Sequence, residues 1–245
     1  MAGKDSRRFS EIYDRLLEFY GPRGWWPVTP QGGDRPEYCG GPVNSGQRLE
    51  VALGALLTQN TSWSGGARKA LENLIALNLM SFQALLELPE PELAPLIRPS
   101  GYFNQKARKI QTLILFLSER YGKSWESFFS EPAGRMRELL LELNGIGPET
   151  ADSIVLYAAG QASFVIDNYT KRLFYRLGHS PLGISYESLK RRFEKALPAE
   201  SGLYGEYHAL IVTHCKERCT SRGPACTGCP LSVLCARRGV DPGED

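Results

Sequence analysis

Apolar residues recur along most of the chain at helical spacing, and almost no segment alternates apolar and polar residues as a half-buried strand does. The spacing predicts helices at 6–20, 47–63, 67–79, 82–88, 105–121, 137–143, 150–159, 168–177, 186–196 and 203–217. Stretches rich in glycine and proline interrupt them, and the longest of these covers residues 21–46. We therefore predict an all-α protein.

A short glycine hairpin separates two of these helical patterns. One pattern ends at Leu143, the segment NGIG follows at 144–147, and Pro148 suits the first position of the next helix. Gly145 and Gly147 permit unusual backbone angles and leave their amides uncovered. Uncovered amides at a helix start favour an anion such as a phosphate, although a plain helical hairpin with a glycine turn explains the same residues.

Asp167 follows the apolar run 164–166 and stands at the start of the amphipathic pattern 168–177. An aspartate at this position commonly caps the helix by accepting a backbone N–H. An isolated carboxylate after a buried segment is also a candidate for acid–base or electrostatic chemistry. The residue alone favours the capping interpretation.

Net charge and length restrict the function only loosely. The 245 residues can bury a substantial core, and the net charge of +2 means that any nucleic-acid binding depends on local clusters. Two sets of cationic residues are candidates for such clusters, and a solvated helix face is the alternative for each. The sets are Lys106, Arg108 and Lys109, and Lys171, Arg172 and Arg176. No apolar run is long enough for a membrane and no signal peptide is apparent, so we expect a cytoplasmic protein.

Two adjacent tryptophans, Trp25 and Trp26, lie in the glycine- and proline-rich loop 21–46. An aromatic wall suits stacking against a flipped-out base, and it attracts a cationic base through cation–π interaction. The alternative is a loop that tryptophan pins to the core. Trp63 lies farther along the chain and is a candidate for the same wall.

Four cysteines fall close together near the C-terminus, with the spacing C-x6-C-x2-C-x5-C. They are Cys219, Cys226, Cys229 and Cys235. Four thiolates that converge suit a 4Fe–4S cluster or a structural zinc ion, and the spacing alone leaves both open. A disulfide framework does not suit an intracellular protein of this size.

The segment LNGIGPETAD, followed by FVIDNYTKRL, resembles the signature of the endonuclease III superfamily of DNA glycosylases. The resemblance implies that the hairpin with Leu143, Gly145 and Gly147 binds a DNA phosphate and that Asp167 serves the cleavage of the glycosidic bond. Bifunctional members carry a lysine where this chain has Glu149, which implies a monofunctional enzyme without a Schiff-base nucleophile. Glu149 is also explained as an acidic residue in the first turn of a helix.

The segments GWWP, LLTQNT, RPSGY, ETAD and VIDNY extend the resemblance over nearly the whole chain, to the bacterial 3-methyladenine DNA glycosylase III branch and its iron–sulfur relatives. This branch implies removal of N-alkylated purines, 3-methyladenine and also 7-methylguanine, from duplex DNA. It implies a base pocket made of Trp25, Trp26, Trp63, Glu149 and Lys216, with a solvent-exposed lysine as the alternative for Lys216.

The resemblance also assigns the DNA-probing residues. Gln59 and Asn60 would fill the gap left by the flipped base, with helix C-capping as the alternative, and Tyr102 would act as a wedge. The cysteine loop 219–235 would hold a 4Fe–4S cluster. Other possibilities are a mismatch or oxidised-base glycosylase and a non-catalytic iron–sulfur protein that binds DNA.

The expected architecture has two helical domains with a cleft between them. One spans residues 47–161 and ends in the helix-hairpin-helix, and the other combines 1–46 with 162–245. We expect a monomer without membrane association that binds double-stranded DNA carrying a damaged base, close to the nucleoid of a prokaryote.

Overall fold

The computed structural model describes residues 2–240, apart from the side chains of Ala2 and Lys4. This part of the chain consists of helices and the loops between them, and its one isolated β-bridge joins Val28 and Glu37. No strand is formed within 2–240. The predicted all-α class is confirmed.

The α-helices follow one another as α1 Ala2–Tyr20, α2 Ser45–Leu57, α3 Arg68–Ala76, α4 Phe82–Glu87, α5 Glu90–Leu96, α6 Phe103–Tyr121, α7 Ala133–Leu141, α8 Pro148–Ser153, α9 Asn168–Arg176, α10 Tyr186–Ala196 and α11 Ser201–Glu217. Short 3₁₀ turns occupy Arg98–Ser100, Gly122–Ser130 and Ser232–Leu234. Wider π-helical turns occupy Trp63–Ala67 and Ile154–Ala158. In residues 2–240 no helix is long and apolar enough to cross a membrane.

The chain divides into two compact units. The first combines the residues up to Arg23 with those from Ala162 onward, and the second is Gly24–Gln161. The loop 24–46 therefore belongs to the second unit in this division. The predicted limits, 47–161 and 1–46 with 162–245, stay a prediction.

Each unit has its own core. In the second unit, α2 is buried on almost every side and packs against α3, α6, α8 and the turn Ile154–Ala158. This burial explains why α2 is apolar all round instead of amphipathic. In the first unit aromatic side chains fill the core, and the Phe164 and Phe193 rings stack at 3.9 Å.

The predicted helix 47–63 is wrong at its C-terminal end, because α2 stops at Leu57. Thr58 caps the helix, and its hydroxyl donates to the Gly54 carbonyl at 3.0 Å. The polar residues that follow compete for backbone hydrogen bonds and favour a turn. The predicted helix 150–159 is likewise divided, since α8 ends at Ser153 and a π-helical turn continues it.

Gly66 lies where the turn Trp63–Ala67 meets the backbone of Arg98–Ser100. A Cβ added at Gly66 would stand 1.9 Å from the Pro99 carbonyl oxygen, so no side chain fits without moving the backbone. This contact fixes the approach of two loops in the second unit.

We expect Gly66→Ala to lower the free energy of unfolding by about 3 kcal/mol, because the collision is with backbone atoms that cannot rotate away. Gly134→Ala is the matched control, since nothing lies within 4 Å of a Cβ there and the residue is helical. That control should stabilise the protein by about 0.5 kcal/mol. Urea unfolding of both variants measures the effect, and equal stabilities would contradict the packing described.

Candidate nucleic-acid interface and active site

The predicted hairpin forms between α7 and α8. Gly145 has a φ of 91° and Gly147 precedes α8 as its N-cap; both are exposed. Ile146 is buried and anchors the hairpin, and its amide donates to the Leu143 carbonyl at 3.1 Å. Leu143 itself is half-buried. The exposed glycines therefore leave the tip open to a ligand at the start of α8.

Gln59 is held against this hairpin. Its Nε2 donates to the Gly145 carbonyl at 3.2 Å and to Thr150 Oγ1 at 2.9 Å. Its Oε1 accepts from Lys109 Nζ at 2.5 Å. The alkyl chain of Lys109 also lies across Gly145, where a Cβ would meet its Cε at 2.6 Å. The loop after α2 and the hairpin thus form one continuous surface, with a cation on it.

Asn60 and Tyr102 are exposed and share an unusual backbone. Their φ angles are 54° and 48°, in the left-handed region that non-glycine residues seldom adopt. The Tyr102 side chain is 65% exposed and stands just before α6. Strained residues of this kind cluster at functional sites, which agrees with a role for both loop tips.

An aromatic cluster surrounds Trp26 in the second unit. The Trp26 ring centroid lies 6.0 Å from that of Trp25, 6.0 Å from that of Trp63 and 5.2 Å from that of Tyr157. Trp26 is buried, whereas Trp25 and Trp63 are half-buried. Sequence reasoning brought the three tryptophans together but missed Tyr157. The signal for it was the apolar face of the segment 150–159, on which a tyrosine is conspicuous.

The tryptophan loop is also pinned to α2. Glu50 is buried and accepts hydrogen bonds from the Thr29 amide at 3.0 Å and from the Thr29 hydroxyl at 2.8 Å. The Trp26 indole lies close against Gly54, where a Cβ would stand 3.1 Å from Nε1. The loop that carries Trp25 and Trp26 is therefore held to the core through both Glu50 and Trp26.

Burial raises the pKa of Glu50 above its usual 4.5, and the hydrogen bonds from Thr29 offset only part of that effect. A raised carboxyl pKa means that the folded protein binds the proton more tightly than the unfolded chain does. The stability that Glu50 contributes is therefore complete below pH 4.5 and is lost as the pH rises through the folded pKa.

We expect the unfolding free energy of the wild type, relative to that of Glu50→Gln, to fall as the pH is raised from about 4.5 to about 7. Glutamine keeps the size and one acceptor but carries no titrating proton. Urea unfolding at several pH values measures the difference. The exposed substitution Glu142→Gln is the control, and its curve should run parallel to that of the wild type. A Glu50→Gln curve that also runs parallel would refute the coupling.

Asp167 caps α9 and is buried. Its Oδ1 accepts from the Thr170 amide at 2.7 Å and from the Thr170 hydroxyl at 2.8 Å, which confirms the N-cap interpretation. His208 Nε2 of α11 lies 3.6 Å from the other oxygen, Oδ2. Burial alone would raise the pKa of Asp167, but His208 and Thr170 together hold it below its usual value. Asp167 is therefore a carboxylate at neutral pH.

His208 was missed in the sequence analysis. Its signal was a histidine on α11, most of which is buried in the first unit.

By contrast, Lys216 and Glu149 are exposed residues. Lys216 Nζ lies 6.0 Å from the centroid of the Tyr169 ring, and Glu149 is in the first turn of α8, as its electrostatic interpretation expects.

The four predicted cysteine ligands line one cavity in the first unit. Leucines 173, 177 and 231 line it with them, as does Arg176. Across residues 2–240, no three histidine, cysteine, aspartate or glutamate side chains are grouped as a site for a single metal ion. The cavity therefore offers four thiols beside apolar side chains and the three arginines Arg176, Arg218 and Arg237.

Arg176 is buried and organises the cysteine loop. Its guanidinium donates to Cys219 Sγ at 3.3 Å, to the Thr220 carbonyl at 2.6 Å and to the Ser221 carbonyl at 3.2 Å. Arg172 donates to the Cys219 carbonyl at 3.0 Å. Sequence analysis offered both arginines as DNA-binding or solvated residues, but the structure places them on the carbonyls of this loop.

Comparison with known proteins gives a family and close structural relatives. Residues 53–199 match the model of the HhH-GPD superfamily base excision DNA repair protein. MJ1434 of Methanocaldococcus jannaschii, which its name assigns provisionally to the DNA repair glycosylases, is 40% identical over 226 residues, 92% of this chain and 94% of that protein.

Two solved structures share the fold. The 3-methyladenine DNA glycosylase MagIII of H. pylori, bound to 1,N6-ethenoadenine, superposes with a TM-score of 0.68 at 26% identity, over 88% of this chain and 98% of that one. A non-covalent endonuclease III–DNA complex superposes with a TM-score of 0.70 at 20% identity, over 95% of each chain.

These matches identify a helix-hairpin-helix DNA repair protein. The chain belongs to the HhH-GPD superfamily of base excision DNA repair proteins. Within that superfamily it is a DNA glycosylase, an enzyme class that hydrolyses N-glycosyl bonds.

Proposed function

We propose that this glycosylase is monofunctional and removes N-alkylated purines, 3-methyladenine above all and also 7-methylguanine, from duplex DNA. The observation that carries the proposal is the aromatic cluster around Trp26, with Trp25 and Trp63 half-buried beside it. The face of an indole ring attracts a cationic ring more strongly than a neutral one. The similarity to MagIII, a 3-methyladenine glycosylase, points to the same substrate class.

The chemistry of such a base matches a carboxylate that stays ionised. An N-alkylated purine carries a positive charge, so it leaves as a neutral base when the bond from its ring nitrogen to C1′ breaks. The sugar becomes oxocarbenium-like, and the anionic Asp167 stabilises this charge. Water adds to C1′ and its proton passes to Asp167 or to solvent. No proton needs to be delivered to the leaving base.

A Schiff-base lyase step is not expected. Glu149 occupies the position at which bifunctional relatives carry the lysine, and a carboxylate cannot form an imine with C1′. Lys216 is the other amine in question, and its Nζ lies 6.0 Å from the centroid of the Tyr169 ring in the first unit.

For DNA we assign the exposed hairpin, with Leu143, Gly145 and Gly147, to one phosphate. Gln59 and Asn60 occupy the gap that the flipped nucleotide leaves. Tyr102 wedges into the stack, which costs about a few kcal/mol of stacking energy that binding of the extruded base must recover. The protein acts as a monomer on a duplex that carries a damaged base.

For the cysteine cavity we propose a 4Fe–4S cluster held by Cys219, Cys226, Cys229 and Cys235. Four thiols around one partly apolar cavity fit this group, and the Arg176 guanidinium beside Cys219 favours the thiolate that iron requires. The four thiolates would hold the cluster, and this bonding would cross-link the loop 219–235.

The test of the reaction is release of free bases from methylated duplex DNA. The wild type should release 3-methyladenine or 7-methylguanine without nicking the strand, and Asp167→Asn should lower the rate by about 10²–10³-fold, because the lost negative charge acts mainly in the transition state. Asparagine retains an acceptor for the cap, so folding should persist, and the near-isosteric substitution Asp14→Asn on the exposed face of α1 is the control.

Three results would change the assignment. Release of uracil, of mispaired thymine or of oxidised pyrimidines, but not of alkylpurines, would place the enzyme with the mismatch or oxidised-base glycosylases. Full activity in Asp167→Asn would remove the catalytic role of that residue. Strand cleavage without added base would mean that another amine acts as a nucleophile.

The test of the cofactor is metal analysis of the purified protein. We expect iron and acid-labile sulfide in the wild type and roughly tenfold less of both in Arg176→Met, since the loop that carries Cys219 loses its buried hydrogen bonds. Arg191→Met, on the exposed face of α10, is the control and should retain the full content. Detection of zinc without sulfide would show that the cysteines hold a single zinc ion and not an iron–sulfur cluster.

A further inference from the structure

Lys106 lies inside the second unit and not on a DNA-facing surface. Its residue is only 2% exposed. Its Nζ donates to the Leu57 carbonyl at 2.8 Å and to the Ser100 carbonyl at 2.6 Å. The sequence grouped this lysine with Arg108 and Lys109 as a cationic surface cluster, so the structure corrects that grouping.

The two carbonyls belong to different loops. Leu57 is the last residue of α2, and Gln59 and Asn60 follow it within three positions. Ser100 ends the turn Arg98–Ser100, and Tyr102 follows two residues later. One ammonium group therefore binds the start of both loops that we assign to DNA probing.

Helix α6 gives this ammonium a fixed position. Lys106 lies in its first turn beside Ala107, which is fully buried, and Ile110 is buried one turn farther on. Because α6 packs against α2 and against the turn Arg98–Ser100, the lysine bridges three elements of one unit.

The energetic cost of this arrangement indicates that it has a use. Burial, with a smaller contribution from Lys109, lowers the pKa of Lys106 to about 8. The ammonium group is therefore kept charged near neutral pH at an energetic cost. The carbonyls at a helix end lack intrahelical partners, and a charged donor satisfies them more strongly than a neutral one does. Both loops also hold a left-handed residue, Asn60 or Tyr102, which an unsupported loop would relax.

We propose that Lys106 is a positioning residue that holds the Gln59–Asn60 loop and the Tyr102 loop in a fixed relation, so that both probe the same nucleotide step. This inference rests on the proposed function of the two loops. It adds a residue that does not touch DNA but determines how selectively the protein binds a duplex with a missing or extruded base.

The experiment compares Lys106→Met with the wild type and with Lys190→Met. Methionine keeps the chain length but removes the charge and the donors. Lys190 is a matched control, since it is 6% exposed and its Nζ binds Ser163 and Glu194, both at 2.6 Å, in the other unit.

Two quantities are measured. Hydrogen exchange of the Thr61 and Gly101 amides, which bond within the two loops, should become at least roughly tenfold faster in Lys106→Met, because ammonium–carbonyl bonds are lost. Binding to a duplex with a stable abasic-site analogue should weaken roughly tenfold, while binding to undamaged duplex should change little. In Lys190→Met neither the loop exchange nor the ratio of the two affinities should change.

Unchanged exchange at both amides, or equal loss of the affinity ratio in both variants, would overturn the proposal. A measurement on the wild type covers the case in which Lys106→Met does not fold. In nitrogen-15 NMR the Lys106 ammonium protons should exchange with water far more slowly than those of an exposed lysine, and fast exchange would overturn the bridge.

The proposed substrate class and the positioning role of Lys106 can be refuted independently of each other. Abasic-site binding does not depend on which base the enzyme excises, so a protein without activity on alkylpurines still tests Lys106. Conversely, normal release of 3-methyladenine together with unchanged hydrogen exchange of the loop amides in Lys106→Met would support the proposed function and refute the positioning role of Lys106.

Discussion

Backbone groups of irregular segments must find partners when they are buried, and this constraint shapes the tryptophan loop, the cysteine loop and the two loops that Lys106 joins. A helical fold cannot satisfy them with a sheet. Here single buried charged side chains do so: Lys106 for the carbonyls of the two loops that we assign to DNA probing, Glu50 for Thr29 in the tryptophan loop, and Arg176 for the cysteine loop. Each charge gains strong hydrogen bonds, and each makes its loop depend on one residue.

The fold class, the hairpin and the cap at Asp167 could be predicted because each depends on residues close together in the sequence. The buried charges could not. From the sequence alone, a lysine in the first turn of a helix is expected to be solvated. Only the packing of α6 against α2 shows that the Lys106 side chain is buried. Likewise, α2 ends at Leu57 because the polar side chains that follow compete with the helix for backbone hydrogen bonds. Apolar periodicity carries no information about this competition.

The candidate site shows the same division between local and distant information. Trp25 and Trp26 are neighbours in the chain, so their pairing needs no fold, whereas Tyr157 reaches them only through the tertiary structure. His208 approaches Asp167 from a helix that begins more than thirty residues later. Residues that tune a site are often found in this way, because chemistry requires proximity in space and sets no spacing in sequence.

Capping and catalysis are compatible roles for Asp167 and reinforce each other in the proposed reaction. Thr170 occupies one carboxylate oxygen, and its hydrogen bonds help to keep the pKa low, which makes Asp167 a poor general acid but a reliable anion. A neutral damaged base would need a proton before it could leave, and this carboxylate does not supply one readily. A base that is already cationic needs none, so the hydrogen bonds that cap α9 support the alkylated purine that we propose as the substrate.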